Sequence, residues 1–180
     1  MTPGFEKAFA AFRNYAAARN KVQQDKVEVG PVDEAGARGF PWTVGRAWGF
    51  DAVIKGERRH VRGWATADGT IVTPEQNLRI FLEEAGLWDI ETKLSADEIA
   101  ELILWAINDH QHLDRGGPQN IPPPTIQKNA DGSGTLRFIA NRQPPGSWID
   151  HREYVIAFTA DHQVTLSTRE VEFDFISVRR

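Results

Sequence analysis

Apolar residues recur along the first part of the chain with the period of a helix and then with the period of strands. Phe5, Phe9 and Phe12 share one face at a spacing of three to four residues, which predicts a helix over residues 3–26. Glycines and prolines over residues 27–41 predict a loop. Three strands with alternating apolar positions are predicted next, over residues 44–54, 58–65 and 70–72.

Two helices are predicted in the middle of the chain, each from a start signal. Thr73 is followed by Pro74 and Gln76, a pattern that begins helices, and Gly86 is placed to end this one. Ser95 and Glu98 form a capping box for a second helix, which extends to about residue 109. A connection rich in glycine and proline follows.

The last third alternates in the manner of strands. The predicted strands cover residues 125–128, 135–142, 152–159 and 164–175. The apolar phase of the last strand flips between Thr168 and Val171, which predicts a bulge near Arg169. Strands joined by short turns must be antiparallel. The pattern therefore predicts an α+β fold, a twisted antiparallel sheet of about six to seven strands on which the N-terminal helix and the two central helices pack. A chain of 180 residues is expected to form a single domain over residues 1–180.

Composition limits the chemistry and suggests a location. The chain has no cysteine, which excludes disulfides, thiolate metal sites and a cysteine nucleophile. It has neither a signal-peptide pattern nor an apolar run of transmembrane length, so we expect a cytoplasmic protein without a membrane partner. The net charge is −4, but the charges are unevenly distributed along the sequence. Residues 38–64 contain six basic and two acidic residues, whereas residues 75–114 contain ten acidic and two basic residues. This division of charge predicts surfaces for different partners, or simply solubilising charges on strands and helices.

Arginine and tryptophan cluster around the first two strands. The predicted ligand-binding residues are Arg46, Trp48, Arg58, Arg59, His60, Arg62 and Trp64. Guanidinium groups bind carboxylates and phosphates, and aromatic rings stack on unpaired bases. The alternative is that Trp48 and Trp64 lie in the core, covered by the aliphatic stems of the arginines.

A second group of residues has the spacing of metal ligands. His110, His112 and Asp114 alternate and are followed by Arg115 and two glycines. This eight-residue string resembles the zinc motif of the metallo-β-lactamase superfamily. The resemblance implies that the two histidines and Asp114 would hold a water-activating metal such as zinc. The alternative is a polar helix exit, in which histidine is favoured by the helix dipole.

Three functional hypotheses follow. The first is a non-enzymatic binding protein, without a cofactor, that uses an Arg/Trp-rich sheet face or groove to engage a protein partner or a small anionic ligand. The second is a metal-dependent hydrolase that uses His110, His112 and Asp114, with zinc as the expected cofactor. The third is a single-stranded nucleic-acid or nucleotide binder that uses the basic strands, with binding that weakens steeply as salt rises.

Overall fold

The computed structural model describes residues 2–32, 43–44, 46–57, 59–89, 91, 93–107, 111–113, 121–142 and 150–172. These residues form three α-helices and two antiparallel sheets of five strands each. The helices are α1 (Pro3–Asn20), α2 (Leu78–Glu84) and α3 (Ala96–Ile107), and a short 3-10 turn lies at Gln24–Lys26. The strands are β1 (Val27–Pro31), β2 (Thr43–Val44), β3 (Ala47–Ile54), β4 (His60–Thr66), β5 (Ile71–Val72), β6 (Gln111–Leu113), β7 (Thr125–Lys128), β8 (Gly134–Arg142), β9 (Asp150–Phe158) and β10 (Val164–Val171).

The strands belong to two sheets, so the prediction of one sheet of six to seven strands is wrong. The first sheet has the order β1-β3-β4-β5, and β2 pairs with the start of β3. The second has the order β10-β9-β8-β6, and β7 pairs with β8. The α+β class and the antiparallel pairing are confirmed. Hairpin signals fix which neighbouring strands pair, but whether distant hairpins join one sheet depends on long-range hydrogen bonds.

The chain contacts divide the molecule into two compact units. The first unit holds α1, β1 to β5 and α2, and the second holds most of α3 together with β6 to β10. The single domain over residues 1–180 stays a prediction. No helix among the described residues is long and apolar enough to cross a membrane.

Helix α1 covers one face of the first sheet. Its start is fixed by Thr2, whose hydroxyl accepts a hydrogen bond from the backbone N–H of Phe5 at 3.4 Å, and by proline at the first helical position. Phe12 is buried and stacks on Phe50 of β3 with ring centroids 5.3 Å apart. The helix ends before the predicted residue 26 because Lys21 adopts the left-handed conformation, with φ of 55°.

The two faces of the first sheet follow the alternation read from the sequence. Phe50, Ala52 and Ile54 of β3 face α1 and are buried. In the β3–β4 register, Asp51 lies opposite Arg62, on the other face of the sheet. The prediction of a loop over residues 27–41 is wrong at its start, because residues 27–31 form β1 and pair with β3. The apolar alternation of β1 is short, and Gly30 and Pro31 at its end are residues typical of loops, so the sequence pattern indicates a loop.

The two central helices differ in how well their start signals predict them. At α3 the capping box is present, since Ser95 Oγ accepts from the Glu98 N–H at 3.2 Å and the Glu98 carboxylate accepts from the Ser95 N–H at 2.7 Å. At α2 the helix begins only at Leu78. Thr73 and Gln76 form a β-bridge in place of the predicted first turn, although the Thr73 hydroxyl still accepts from the Gln76 N–H at 3.1 Å.

The second sheet is built from two successive hairpins, β7–β8 and β9–β10. Phe138 and Tyr154 stack across β8 and β9 with centroids 4.9 Å apart, and both are buried. The predicted bulge near Arg169 is absent, because β10 pairs with β9 without interruption from Val164 to Val171. The apolar phase change at Val171 therefore does not shift the register within the described strand.

Candidate functional site

The two tryptophans of the predicted binding surface are packed against other rings. Trp48 lies on the α1 side of the first sheet and meets Phe5 edge-on, with centroids 5.9 Å apart. Trp64 lies on the opposite side, is only 2% exposed and stacks on Phe81 of α2 at 4.7 Å. Trp64 therefore belongs to the core, and Trp48 is partly buried against it.

His60 and Arg62 share one face of β4 and converge on Asp51 of β3. The Nδ1 atom of His60 lies 2.9 and 3.1 Å from the two carboxylate oxygens, and Nε of Arg62 donates to Oδ2 at 3.0 Å. The contacts between His60 and Asp51 fix the orientation of the imidazole, and the guanidinium of Arg62 balances the charge of the carboxylate. The side chains of Asp51 and Arg62 are about one-quarter exposed, at 27% and 26%. The cluster therefore lies at the border of the core and not in it.

The other predicted arginines lie at the ends of strands. Arg59 is exposed and pairs with Glu57 in the β3–β4 turn, with 3.2 Å between Nε and Oε2. Arg46 lies immediately before β3 and reaches Glu84 at the end of α2. Arg58 lies outside the described residues. The structure thus brings together His60 and Arg62, and it places Arg46 at a separate location.

That location is an open cleft of about 400 Å³ between the β4–β5 turn and α2. Clefts of this size lie within the range that small ligands occupy. The cleft is lined by Arg46, Thr66, Ala67, Asp68, Thr70, Arg79, Ile80, Glu83 and Glu84. We call it the arginine cleft, after Arg46 and Arg79.

Each arginine of the cleft is held by a neighbouring glutamate through part of its hydrogen-bonding capacity. Arg46 donates from its backbone N–H and from Nε to the two carboxylate oxygens of Glu84, at 3.1 and 3.0 Å. Arg79 donates from one terminal nitrogen to Glu83 at 2.9 Å. A guanidinium has five N–H donors. Within the described part of the chain, both terminal nitrogens of Arg46 and two nitrogens of Arg79 make no hydrogen bond.

The third carboxylate of the cleft, Asp68, is occupied by its own turn. The hydroxyl of Thr66 and the backbone N–H of Thr70 both donate to its Oδ1 atom, the latter at 3.0 Å. The Thr66 hydroxyl is the main cause that lowers the pKa of Asp68 to about 2, and the Thr70 N–H adds to it. Asp68 is therefore ionised at all ordinary pH values and holds the edge of the cleft in place.

The predicted metal ligands lie largely beyond what the structure describes. His110 and Asp114 are outside the described residues, and His112 belongs to β6, where only the backbone is described. Among the residues that are described, no group of three or more His, Asp or Glu side chains could hold a metal ion. Metal binding by this string stays a prediction.

Comparison with known proteins yields no relative. No protein-family model, no curated protein and no solved structure matches this chain. The function is therefore inferred from the geometry of the described residues.

Sequence reasoning did not select Asp68, Arg79, Glu83 or Glu84 as site residues. All four lie in segments that are recognised for another reason, a hairpin turn and the exposed side of a helix. The separation of 38 positions between Arg46 and Glu84 leaves no local signal. The one indication in the sequence is the pair of adjacent glutamates that follows Arg79 by one helical turn.

Proposed function

We propose that this chain is a non-enzymatic binding protein that holds an anionic group, a carboxylate or a phosphate, in the arginine cleft. The group belongs either to a protein partner or to a small ligand. The observation that carries the proposal is that two guanidinium groups with unused donors line one concave surface. Planar guanidinium donors match the oxygens of carboxylates and phosphates in geometry and in charge.

The acidic residues of the cleft are the main argument against an anion, because three carboxylates outnumber two guanidinium groups. Each of the three nevertheless already accepts at least one hydrogen bond from a neighbouring group. Both oxygens of Glu84 accept from Arg46, and Glu83 accepts from Arg79. Asp68 is bound within its own turn and also lies near the ammonium group of Lys7. The donors that remain open are on the arginines, so hydrogen bonding favours an anion.

The glutamates also give the cleft a way to orient its arginines before a ligand arrives. The Glu84 side chain is only 13% exposed, whereas that of Arg46 is 88% exposed. A largely buried carboxylate thus holds the Nε edge of an exposed guanidinium and leaves its terminal nitrogens accessible to solvent. Such positioning lowers the entropy that is lost when a ligand binds.

The test is to titrate the protein with inorganic phosphate, with succinate and, as a cationic probe, with spermidine. Binding is measured from changes in the NMR chemical shifts of the protein during each titration. We expect the two anions to shift signals of cleft residues, and we expect Arg46→Gln and Arg79→Gln each to weaken anion binding about tenfold, since a charge-assisted hydrogen bond contributes about 1.5 kcal/mol. Arg59→Gln is the matched control, because Arg59 is an exposed, ion-paired arginine outside the cleft.

A further variant decides the sign of the ligand. Glu84→Gln removes a negative charge beside the open donors and keeps one side-chain oxygen that can accept from Nε of Arg46, so it should strengthen the binding of phosphate and succinate. If Glu84→Gln weakens the binding of phosphate and succinate, and spermidine binds more tightly than either anion, the site prefers cations and the proposal is wrong. An equal loss of anion affinity in Arg59→Gln and in the cleft variants would likewise show that the arginine cleft is not the binding site.

A further inference from the structure

Strand β10 forms a long and regular outer strand of the second sheet. Its eight residues pair with β9 without a bulge, and no other described strand pairs with its outer side. Thr165, Ser167, Thr168, Arg169 and Glu170 are exposed. An outer strand of this kind presents unpaired backbone donors and acceptors to any other extended chain.

The hairpin geometry determines which backbone groups point outward. At the turn, the N–H of Thr159 donates to the carbonyl of Gln163 at 3.0 Å, so these two residues form a hydrogen-bonded pair. Because such pairs alternate along an antiparallel ladder, Thr165, Ser167 and Arg169 bond inward to β9. The N–H and C=O groups of the alternate residues therefore point away from the sheet. These outward residues are Val164, Leu166, Thr168 and Glu170.

The outer strands of the first sheet have protective features that β10 lacks within its own described residues. Strand β1 ends in Gly30 and Pro31, and proline has no N–H to offer. Strand β5 has only two residues. Proteins block sheet edges with proline, lysine, bulges or very short strands. Strand β10 has none of these features over its full length.

Each of the two charged residues of β10 lies close to an opposite charge on β9. Arg169 donates from Nε to the carboxylate of Glu153, which is buried on β9. Glu170 lies 3.8 Å from a terminal nitrogen of Arg152, also on β9. Each charge is thus balanced within the sheet, and little repulsion opposes a second strand.

We propose that β10 pairs antiparallel with β10 of a second copy of this chain, across a two-fold axis at Ser167. In this register Val164 faces Glu170 of the second copy, Thr165 faces Arg169, Leu166 faces Thr168, and Ser167 faces itself. The register gives a partner to every outward backbone group from Val164 to Glu170, and no two like charges lie opposite each other.

The features of β10 favour a second copy of this chain as its pairing partner. The strand is complementary to its own copy in length, in hydrogen-bond phase and in charge, and a two-fold pairing uses the same open edge of both chains. Shifting the register by two residues toward the C-terminus leaves fewer of the outward groups paired within the strand. A shift of four residues in that direction places Arg169 opposite Arg169, which like-charge repulsion disfavours.

The absence of cysteine allows a direct test of the register. Ser167→Cys introduces the one thiol of the chain, since the natural sequence has none. In the proposed dimer the two introduced thiols face each other in a pair that lacks direct backbone hydrogen bonds, where Cα atoms approach to about 4.5 Å and a disulfide fits. We expect mild oxidation to convert most of this variant into a covalent dimer, measured on non-reducing gels.

Thr168→Cys is the matched control, because in the same register Thr168 faces Leu166 of the second copy. It should cross-link at least tenfold more slowly than Ser167→Cys. Equal rates in the two variants, or faster cross-linking in Thr168→Cys, would overturn the register. When the oxidation is repeated in denaturant, the two variants should cross-link at the same rate, because the difference depends on the folded strand.

Light scattering coupled to size-exclusion chromatography tests the association itself. We expect the natural chain at high concentration to show twice its mass of 20.2 kDa. Thr168→Pro removes only an outward N–H and should return the mass to that of one chain, whereas Thr168→Ala keeps the N–H and the dimer. Ser167→Lys, which places two like charges face to face, is the second disrupting variant if Thr168→Pro does not fold. A natural chain that stays monomeric at high concentration would falsify the proposal.

Discussion

The two sheets each carry a carboxylate held by two basic side chains, but in different surroundings. In the first sheet Asp51 binds His60 and Arg62 and is 27% exposed. In the second sheet Glu153 binds Arg137 at 3.1 Å and also Arg169, and its side chain is only 7% exposed. Both clusters lie on strands within a sheet, and both are formed across neighbouring strands.

Burial, more than the number of partners, determines how much such a cluster contributes to the free energy of unfolding. Water screens Asp51 and can replace a lost partner, so the cluster contributes little to stability. Glu153 has little access to water, and it depends on the guanidinium groups of Arg137 and Arg169 to balance its charge. The arginines themselves are more than half exposed and can be hydrated. The second cluster should therefore respond asymmetrically to the loss of its members.

The largest effect is expected when both arginines of the second cluster are removed. Arg137→Gln combined with Arg169→Gln leaves the carboxylate of Glu153 buried without a counter-charge, which should lower the free energy of unfolding by about 3 kcal/mol. Glu153→Gln leaves two exposed arginines that water can solvate, and should cost only about 1–2 kcal/mol. Urea unfolding followed by circular dichroism measures both values.

The control for this prediction is Lys55→Gln combined with Arg59→Gln, which removes two exposed ion pairs of the first sheet. Each exposed pair contributes at most about 1 kcal/mol, so the control should stay close to the natural protein. Adding Glu153→Gln to the double arginine variant should recover stability. If that triple variant is no more stable than the double variant, the buried charge is not the cause of the loss.

A smaller effect is expected in the first cluster. Asp51→Asn keeps the shape of the side chain and removes its charge, and the stability should fall by less than about 1 kcal/mol because the site is partly solvated. The measurement is the same urea titration, made beside Glu153→Gln. A loss in Asp51→Asn as large as that in the double arginine variant would contradict the role assigned to burial.

The smallest effect concerns Asp68 at the edge of the arginine cleft, and it depends on pH. The folded-state pKa of about 2 lies below the ordinary value of 3.8. Its ionised form therefore stabilises the turn above pH 3.8, and this contribution disappears as the pH falls toward 2. The natural protein should exceed Asp68→Asn in stability at neutral pH and match it near pH 2.

The cause of that shift can be tested separately. Thr66→Ala removes the hydroxyl that contributes most to lowering the pKa of Asp68. An NMR titration of the carboxyl group should then give a value nearer 3.8. An unchanged pKa in Thr66→Ala would assign the shift to the backbone N–H of Thr70 instead.

One local sequence pattern recurs in three hairpin turns of the two sheets. Alanine and aspartate occupy the second and third positions of the turns at residues 66–70, 129–133 and 159–163. In each turn the fourth residue has positive φ, at 88° for Gly69, 85° for Gly132 and 63° for His162. An aspartate that accepts hydrogen bonds within the turn, followed by a residue in the left-handed region, sets the reversal by short-range contacts.

The candidate site could be predicted only in part. Arg46 was identified from its place among basic and aromatic residues, and His60 and Arg62 were placed on a shared face by their alternation. The partners Glu84 and Asp51 were not identified, because each contact joins separate segments of the chain. Trp64 could be placed on a face but not assigned to core or surface, since its burial depends on Phe81 of a later helix.

Local sequence patterns are enough to set the helices α1 and α3, the strand alternation, the hairpin turns and the antiparallel pairing of neighbouring strands. These features arise from caps, from side-chain periodicity and from turn residues, all of which act over a few positions. Long-range contacts instead set the division of the strands into two sheets, the place of β10 as the outermost described strand of its sheet, and the shared cleft of Arg46 and Arg79. Those outcomes depend on hydrogen bonds and packing between distant segments, whose free energy no local pattern contains.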